Sequence, residues 1–416
     1  MSYKKTILNN GITILSEHVE HVRSISIGVW INAGSRDEAV HNRGIAHFLE
    51  HMLFKGTESR SKTDIANFLE SLGGSVNAFT SKEYTCIYAR CLEEYLEQSI
   101  DLISDLLLHS TFPDDELQKE KEVVIDEIND IQDTPGDLIF DYFYENLFPD
   151  NSLGYPIVGY KEEVTHFEKS TCISFISEHY KPDRFIISVS GYIDHQKLVR
   201  FAEKYFNFER QTLAASKRIL SAPTSIKKYK NVYTKNANHQ SHVCIGTRTF
   251  PYTDKDRYIL LTLNAILSGG MSSRLFQNIR EKHGISYDIG SFADFFHDTG
   301  CIGVYAATNP KNSRKSIELI RKEIQAFLDK PAKELELERT KALLKSSILI
   351  GLESTSARMN RLAKQYIYNN EICPIDWVIA QIEKITPEDI QRVSQRIFEK
   401  EKFVTTILKA SGKELG

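Results

Sequence analysis

The sequence predicts an α+β protein of two homologous domains, each an antiparallel-rich β-sheet with helices packed on one face. Three observations lead there. Short alternating or β-branched runs, such as 24–32 and 184–192, read as strands with one or both faces buried. Longer stretches place apolar residues three and four apart, as in Leu96, Ile100, Ile103 and Leu107, which is the stripe of a helix lying on a core. The second half of the chain also repeats the first: Ser24-Ile25-Ser26-Ile27-Gly28 is answered by His242-Val243-Cys244-Ile245-Gly246.

In chain order, Asn10-Gly11 is a strong hairpin signal and joins two N-terminal strands. After strand 24–32, Ala33-Gly34-Ser35 turns the chain into an apolar run of helical length, 44–54, closed by Gly56. Ser61 with Asp64 opens a second helix bearing Ile65, Phe68, Leu69 and Leu72, closed by Gly73-Gly74. Strands 75–79 and 84–90 precede the helix of Leu96 to Leu107, and the next helix, 113–133, opens at Pro113 and stops before Pro135-Gly136. An aromatic helix through Tyr142, Phe143 and Leu147, a helix capped by Ser170, strand 184–192 and helix 195–206 complete the first half. The Ser-, Ala-, Thr- and Lys-rich stretch around Pro223 is expected to be a linker, 213–230, between an N-terminal domain, 1–212, and a C-terminal domain, 231–416. There, 258–269 answers the run 44–54, 284–287 answers 74–77 and 301–307 answers 86–91. Helical patterns at 313–328, 334–352, 356–369 and 389–398 and a strand at 403–408 end the chain.

Composition narrows the function. At 416 residues the chain can bury more than one core, and 41% hydrophobic with 26% charged residues is ordinary for a soluble globular protein. A net charge of -4 argues against nucleic acid or an anionic membrane as the main partner. No apolar run reaches the roughly 18 residues that span a bilayer. The N-terminus lacks the apolar core of a signal peptide, so a cytoplasmic protein is expected. The six cysteines form no C-x-x-C pair and read as buried free thiols of a reducing compartment.

The chemistry is concentrated in His47-Phe48-Leu49-Glu50-His51. Residues four apart on a helix share a face, so the two imidazoles project side by side and can share one ion. Neutral imidazole binds zinc, and a catalytic zinc site takes three protein ligands and keeps a fourth position for water. Glu50 stands beside His51, where a carboxylate can take a proton from that water. The order H-x-x-E-H reverses the commoner H-E-x-x-H. The competing reading is two surface histidines beside a solvated glutamate. A third ligand is best sought in helix 113–133, whose apolar stripe Leu117, Val124, Ile128, Ile131 also contains Glu120 and Glu127. A carboxylate on a core-facing stripe is costly without a cation or hydrogen bonds. Zinc would compensate Glu127; Glu120 would sit behind the ligands or pair with a nearby basic residue. Glu116, Glu122, Asp126 and Asp130 are expected to face water.

These residues, Gly44-Ile45-Ala46-His47-Phe48-Leu49-Glu50-His51-Met52-Leu53-Phe54-Lys55-Gly56-Thr57 with Glu127 downstream, resemble the pitrilysin, insulinase and mitochondrial processing peptidase family of inverted zinc metallopeptidases, along nearly the whole chain. The resemblance implies His47, His51 and Glu127 as ligands of one Zn2+ per chain and Glu50 as general base. It also implies that 73–79 is an edge strand to which a peptide adds, with Asn77, Ala78 and Phe79 binding substrate. Arg280 and Tyr287 match the family's Arg and Tyr pair opposite the zinc, suited to stabilise a carbonyl oxygen as charge develops. Longer members hold four such domains. A two-domain chain is therefore expected to form a homodimer, or a heterodimer with a related subunit, in which the pair serves the partner's zinc site. The processing peptidase's long glycine-rich loop is represented here only by Ser268-Gly269-Gly270-Met271-Ser272-Ser273-Arg274. Aligning Gly56 with Gly269 sets Leu260, Leu263 and Asn264 where His47, Glu50 and His51 stand, so the second copy keeps the scaffold without the metal. The expected function is a zinc endopeptidase acting on peptides or unfolded polypeptides in a dimeric chamber. The alternative is a non-catalytic scaffold or partner subunit.

Overall fold

Apolar residues on both sides of single strands set the layering. The computed structural model describes residues 3–208, 218, 220, 230–235, 239–398 and 403–410. Its first elements are β1 (Tyr3–Ile7), β2 (Thr13–His18), β3 (Ser24–Ile31), α1 (Ile45–Leu53), α2 (Lys62–Glu70), β4 (Ser75–Thr80), β5 (Thr85–Leu92), α3 (Leu96–Leu108) and α4 (Asp114–Asp133). Next come α5 (Pro135–Leu147), α6 (Lys161–Val164), α7 (Lys169–His179), β6 (Phe185–Gly191), α8 (His195–Tyr205), β7 (Lys230–Lys235), β8 (Ser241–Thr249) and α9 (Arg257–Ser268). The remainder is β9 (Ser286–Phe295), β10 (Gly300–Thr308), α10 (Ser313–Asp329), α11 (Glu334–Gly351), α12 (Thr355–Asn369), α13 (Ile375–Glu383), α14 (Pro387–Phe398) and β11 (Val404–Ala410). The short α6 and α13 have no counterpart in the sequence reading. Glu168, not Ser170, is the N-cap of α7: its carbonyl accepts from the Thr171 amide and its own amide donates to Thr171 Oγ1 at 3.1 Å.

The chain forms two sheets, ordered β1-β2-β6-β3-β5-β4 and β7-β11-β8-β10-β9. Pairing is antiparallel except for β2 with β6 and β11 with β7. On the first sheet Ile25, Ile27, Val29 and Ile31 of β3 join a core with α1, α3, α4, α7 and α8. This is the expected helical layer. The opposite face is covered as well: Trp30 of β3 packs with Met359, Leu362 and Ala363 of α12. The second sheet repeats the arrangement. Val243, Ile245, Ile302 and Val304 face α9, α10 and α14, while Cys244, Cys301, Val404 and Leu408 face α5 through Leu138, Ile139, Phe143 and Leu147.

Those two outer helices correct the domain boundaries. One compact unit comprises Met1–Asp130, Tyr155–Ile219 and Ile350–Ile372, and the other Ile131–Gly154, Leu220–Leu349 and Cys373–Gly416. The units are thus not the contiguous stretches 1–212 and 231–416. The aromatic helix α5 belongs with the second sheet and α12 with the first. An apolar stripe states that a helix must be covered, and it does not state by which sheet. The expected linker 213–230 lies almost wholly outside the described residues.

Glu116 is a further correction. It is buried and accepts bonds from Lys62 and Lys119, which hold its carboxyl down to about 2. Five of the six cysteines are buried and all are free. No helix among the described residues is long and apolar enough to cross a membrane.

The sheet glycines Gly28 and Gly246, which correspond in the repeat, lie where the outer helices approach. A Cβ at Gly28 would stand 3.0 Å from Met359 Sδ, and one at Gly246 would stand 2.7 Å from Phe143 Cζ and press on the Ile302 carbonyl. Overpacking of this kind typically costs about 1–3 kcal/mol. Gly246→Ala should therefore lower the Tm of the second unit by several degrees in scanning calorimetry; an unchanged Tm would mean that α5 does not press on β8.

Candidate metal centre

Helix α1 carries the motif, and its start is tightly determined. Gly44 has φ 95°, and a Cβ there would stand 2.6 Å from the Val158 carbonyl oxygen, so both conformation and space call for glycine. Glu38 accepts from the amides of Gly44 and Ala46, each at 2.9 Å. It caps the positive end of α1, where burial pushes its carboxyl up to about 8 against the pull of those two amides. Sequence reading missed Glu38. It stands six residues before Gly44, outside the usual capping spacings.

The rings of His47 and His51 lie 4.6 Å apart between centroids. On α4, Glu127 Oε2 is 3.7 Å from His47 Nε2 and 3.8 Å from His51 Nε2. The three ligand atoms all lie within 4.8 Å of one another. Tetrahedral zinc with bonds of about 2.0–2.1 Å sets neighbouring donors about 3.4 Å apart, so two imidazoles and a carboxylate at these distances fit the ion. Glu127 is 41% exposed at its side chain, so the site opens to solvent, as a catalytic rather than a sealed structural site must.

The surrounding charges prepare the donors. Burial, with the neighbouring His51 adding to it, pushes His47 down to about 4, so its ring stays neutral and its lone pair stays available. Glu120, expected either behind the ligands or paired with a nearby basic residue, makes both contacts and is a positioning residue. Its side chain is 5% exposed, and Oε1 lies 2.8 Å from His51 Nδ1 while Oε2 lies 2.6 Å from Lys55 Nζ. Burial works against its charge, but the bonds from His51 and Lys55 outweigh it and hold the carboxyl below its usual range. The carboxylate must then accept, so His51 Nδ1 carries the hydrogen and Nε2 faces Glu127. For His51 burial is likewise outweighed, by the Glu120 bond and by the charges of Glu120, Glu127 and Glu50, and its pKa is raised.

Glu50 accepts a 2.6 Å bond from Thr80 Oγ1, at the end of β4. Burial raises its carboxyl, and the Thr80 bond holds it partway down. A carboxylate tuned upward in this way suits a general base near neutral pH. Thr80 was not foreseen; a strand-end threonine thirty residues away carries no local signal.

The remaining predicted residues fall in two places. β4 lies at the end of the first sheet beside β5, which leaves its other edge open. Asn77 Oδ1 accepts from the Ala78 amide at 2.8 Å, so in this state its carboxamide is turned to its own strand. The Phe79 ring packs edge-on against Trp30 at 5.5 Å and beside Tyr88, and so serves packing. In the second unit, Arg280 lies on a single π-helical turn, Phe276–Glu281, with its guanidinium 4.2 Å from the Tyr287 ring. Tyr287 is 80% exposed on β9, which ends the second sheet as β4 ends the first. The register slips here: Ser286 faces Thr308 and Asp288 faces Ala307, so Tyr287 is the bulged residue and its ring is turned outward.

Two sheet-and-helix units, one with H-x-x-E-H and a downstream glutamate converging, define a metallopeptidase scaffold. The chain belongs to the insulinase family, peptidase family M16. That description matches residues 13–161, and the description "Peptidase M16 inactive domain" matches 168–344, which contains Leu260, Leu263 and Asn264 in place of the donors. The chain is 35% identical over 410 residues to the uncharacterized zinc protease YmxG of Bacillus subtilis, covering 98% of both chains. It is also 35% identical to an uncharacterized zinc protease of Streptomyces coelicolor, over 95% of this chain and 87% of the relative. Among solved structures, a protease from Helicobacter pylori superposes with a TM-score of 0.92 at 23% identity, covering 98% of this chain and 99% of that one. A peptidase M16 inactive domain from Pseudomonas fluorescens superposes with a TM-score of 0.90 at 18% identity over the full length of both. These two similarities concern the fold.

Ligand-orienting partners typically contribute ten- to hundred-fold in metal affinity. Glu120→Gln should weaken zinc binding by about that factor in chelator competition; an unchanged affinity would mean that the His51 bond does not orient the ligand.

Proposed function

We propose that the protein is a zinc endopeptidase that cleaves peptides or unfolded polypeptides. The observation that carries this is the convergence of His47, His51 and Glu127 beside a half-buried Glu50 whose carboxyl is raised. Zinc held by those three residues would polarise the scissile carbonyl and bring the pKa of a water toward 7. Glu50 accepts the proton from that water and returns it to the leaving amine, with Thr80 fixing one of its oxygens during both transfers. Substrate lies along the open edge of β4, where backbone pairing is tolerant of sequence and Asn77 can turn from its own strand to the peptide. Names of relatives that include zinc protease support the same reading.

We extend the proposal to the assembly. Arg280 and Tyr287 present a guanidinium and a phenol together, suited to stabilise a carbonyl oxygen as negative charge develops. Each chain carries the zinc donors and this pair in different units. A homodimer in which each pair serves the other subunit's zinc site completes two sites.

Purified protein should hold about one zinc per chain and lose peptide cleavage on chelation. Glu50→Gln should keep the zinc and lose about 100- to 10,000-fold in kcat, the usual share of general acid–base catalysis; unchanged cleavage by that variant rejects the mechanism. Exchange of subunits between Glu50→Gln and Tyr287→Phe chains should regenerate activity, because one mixed site then has both groups. If subunits demonstrably exchange and no activity returns, the pair does not act across the dimer.

A further inference from the structure

The duplicated scaffold leaves an empty place in the second unit that the first unit fills with charge. Between the end of α1 and the start of α4, the gap is closed by the Lys55–Glu120 pair at 2.6 Å. Leu117 and Leu337 are both buried one turn into their helices, each donating its amide to the residue four back. Aligning them sets Thr340 where Glu120 stands, and the Gly56 to Gly269 match sets Ser268 where Lys55 stands. Two long ionic side chains are thus replaced by two short hydroxyls. A cavity of about 280 Å³ lies beside Thr340, walled by Ala265, Ile266 and Gly269 on one side and Thr340 and Leu343 on the other, while Ser268 turns toward Gly290 instead. Met271, 76% exposed, stands at its rim and can adapt to what enters.

This apolar cavity adjoins a groove of about 540 Å³, and the two share Glu336 and Arg339. Arg274 is occupied there: it bonds both oxygens of Glu336 at 2.8 and 2.7 Å and stacks on Phe327. Glu323 is likewise engaged, with Asn278 at 2.9 Å. Lys330, Lys333 and Arg339 are different. Their charged groups have no hydrogen-bond or ion-pair partner among the described residues, and all three line the groove. Leu335, 79% exposed, adds apolar surface beside them.

We propose that this composite site, apolar cavity and cationic groove, anchors an acidic stretch of the substrate polypeptide. One apolar side chain enters between Ile266 and Leu343, and neighbouring carboxylates face Arg339, Lys330 and Lys333. Charge complementarity selects the occupant: three unpaired cations beside an apolar hole recognise an aspartate- or glutamate-flanked leucine or phenylalanine, and repel a basic peptide. The proposal rests on the peptidase reading for the identity of its ligand as substrate. Its residues are distinct from the metal donors.

Full-length, zinc-loaded Glu50→Gln protein is titrated into two fluorescein-labelled peptides of equal length, one Glu-Leu-Glu-rich and one with lysine in place of each glutamate. Anisotropy should show about ten-fold tighter binding of the acidic peptide, weakening as salt rises. Adding Arg339→Glu and Lys333→Glu should erase or invert that preference, and Thr340→Phe, which fills the cavity, should weaken binding without inverting it. Equal affinity for both peptides, or an acidic preference that survives charge reversal in a folded variant, overturns the proposal. A wild-type dimer that dissociates with Arg339→Glu and competes with neither peptide also overturns it, because a second copy is then the occupant. Cleavage of a neutral reporter peptide by the wild type is measured in parallel. Cleavage without the charge preference sinks the anchoring site alone, whereas preference without zinc-dependent cleavage sinks the peptidase reading alone.

Discussion

The buried carboxylate of Glu120 is the contact on which the site depends. It bonds His51 and Lys55, both on the zinc-ligand face of α1 or just past its end, and so pins α1 to α4 at one depth and one rotation. Two turns farther along α4, Glu127 then faces both Nε2 atoms. A buried ion pair gains little net stability, because the cost of taking charge out of water offsets most of the attraction. Its effect here is register: sliding α4 by one residue would bury the wrong side chain and carry Glu127 off the face.

The same layered scaffold is used twice with opposite contents. In the first unit the space between α1 and α4 holds charged groups that bind one another and can bind a cation. In the second, Leu260 and Leu263 fill the core, and Thr340 is too short to close the gap. The outer helices obey the same logic on the far faces, where Gly28 and Gly246 thin the sheet for α12 and α5. Each unit therefore keeps its architecture through apolar packing, and its chemistry varies with a handful of polar positions.

The sheet ends show what pairing rules allow. β4 and β9 occupy corresponding edges, yet β4 presents backbone and β9 presents Tyr287 at a bulge. An open edge is a hazard for aggregation and an opportunity for recognition. Asn77, bonded to the next amide in its own strand, covers part of that edge in the free protein.

Local chemistry was enough to read much of this protein from its residues. Helical spacing put His47 and His51 on one face, the apolar stripe of α4 singled out Glu120 and Glu127, and the repeat exposed the metal-free second copy. Periodicity reports which face of an element is covered, and that information is local. What covers the face is a long-range choice, so the exchange of α5 and α12 between units was decided only by packing. The same holds for Glu38, Thr80 and Lys55, whose partners lie six, thirty and sixty-five residues away in the chain. It holds also for Glu116, which charge assigned to water and the fold buried between two lysines. Residue type fixes what a side chain can bond, and only the folded chain determines which group is close enough to be bonded.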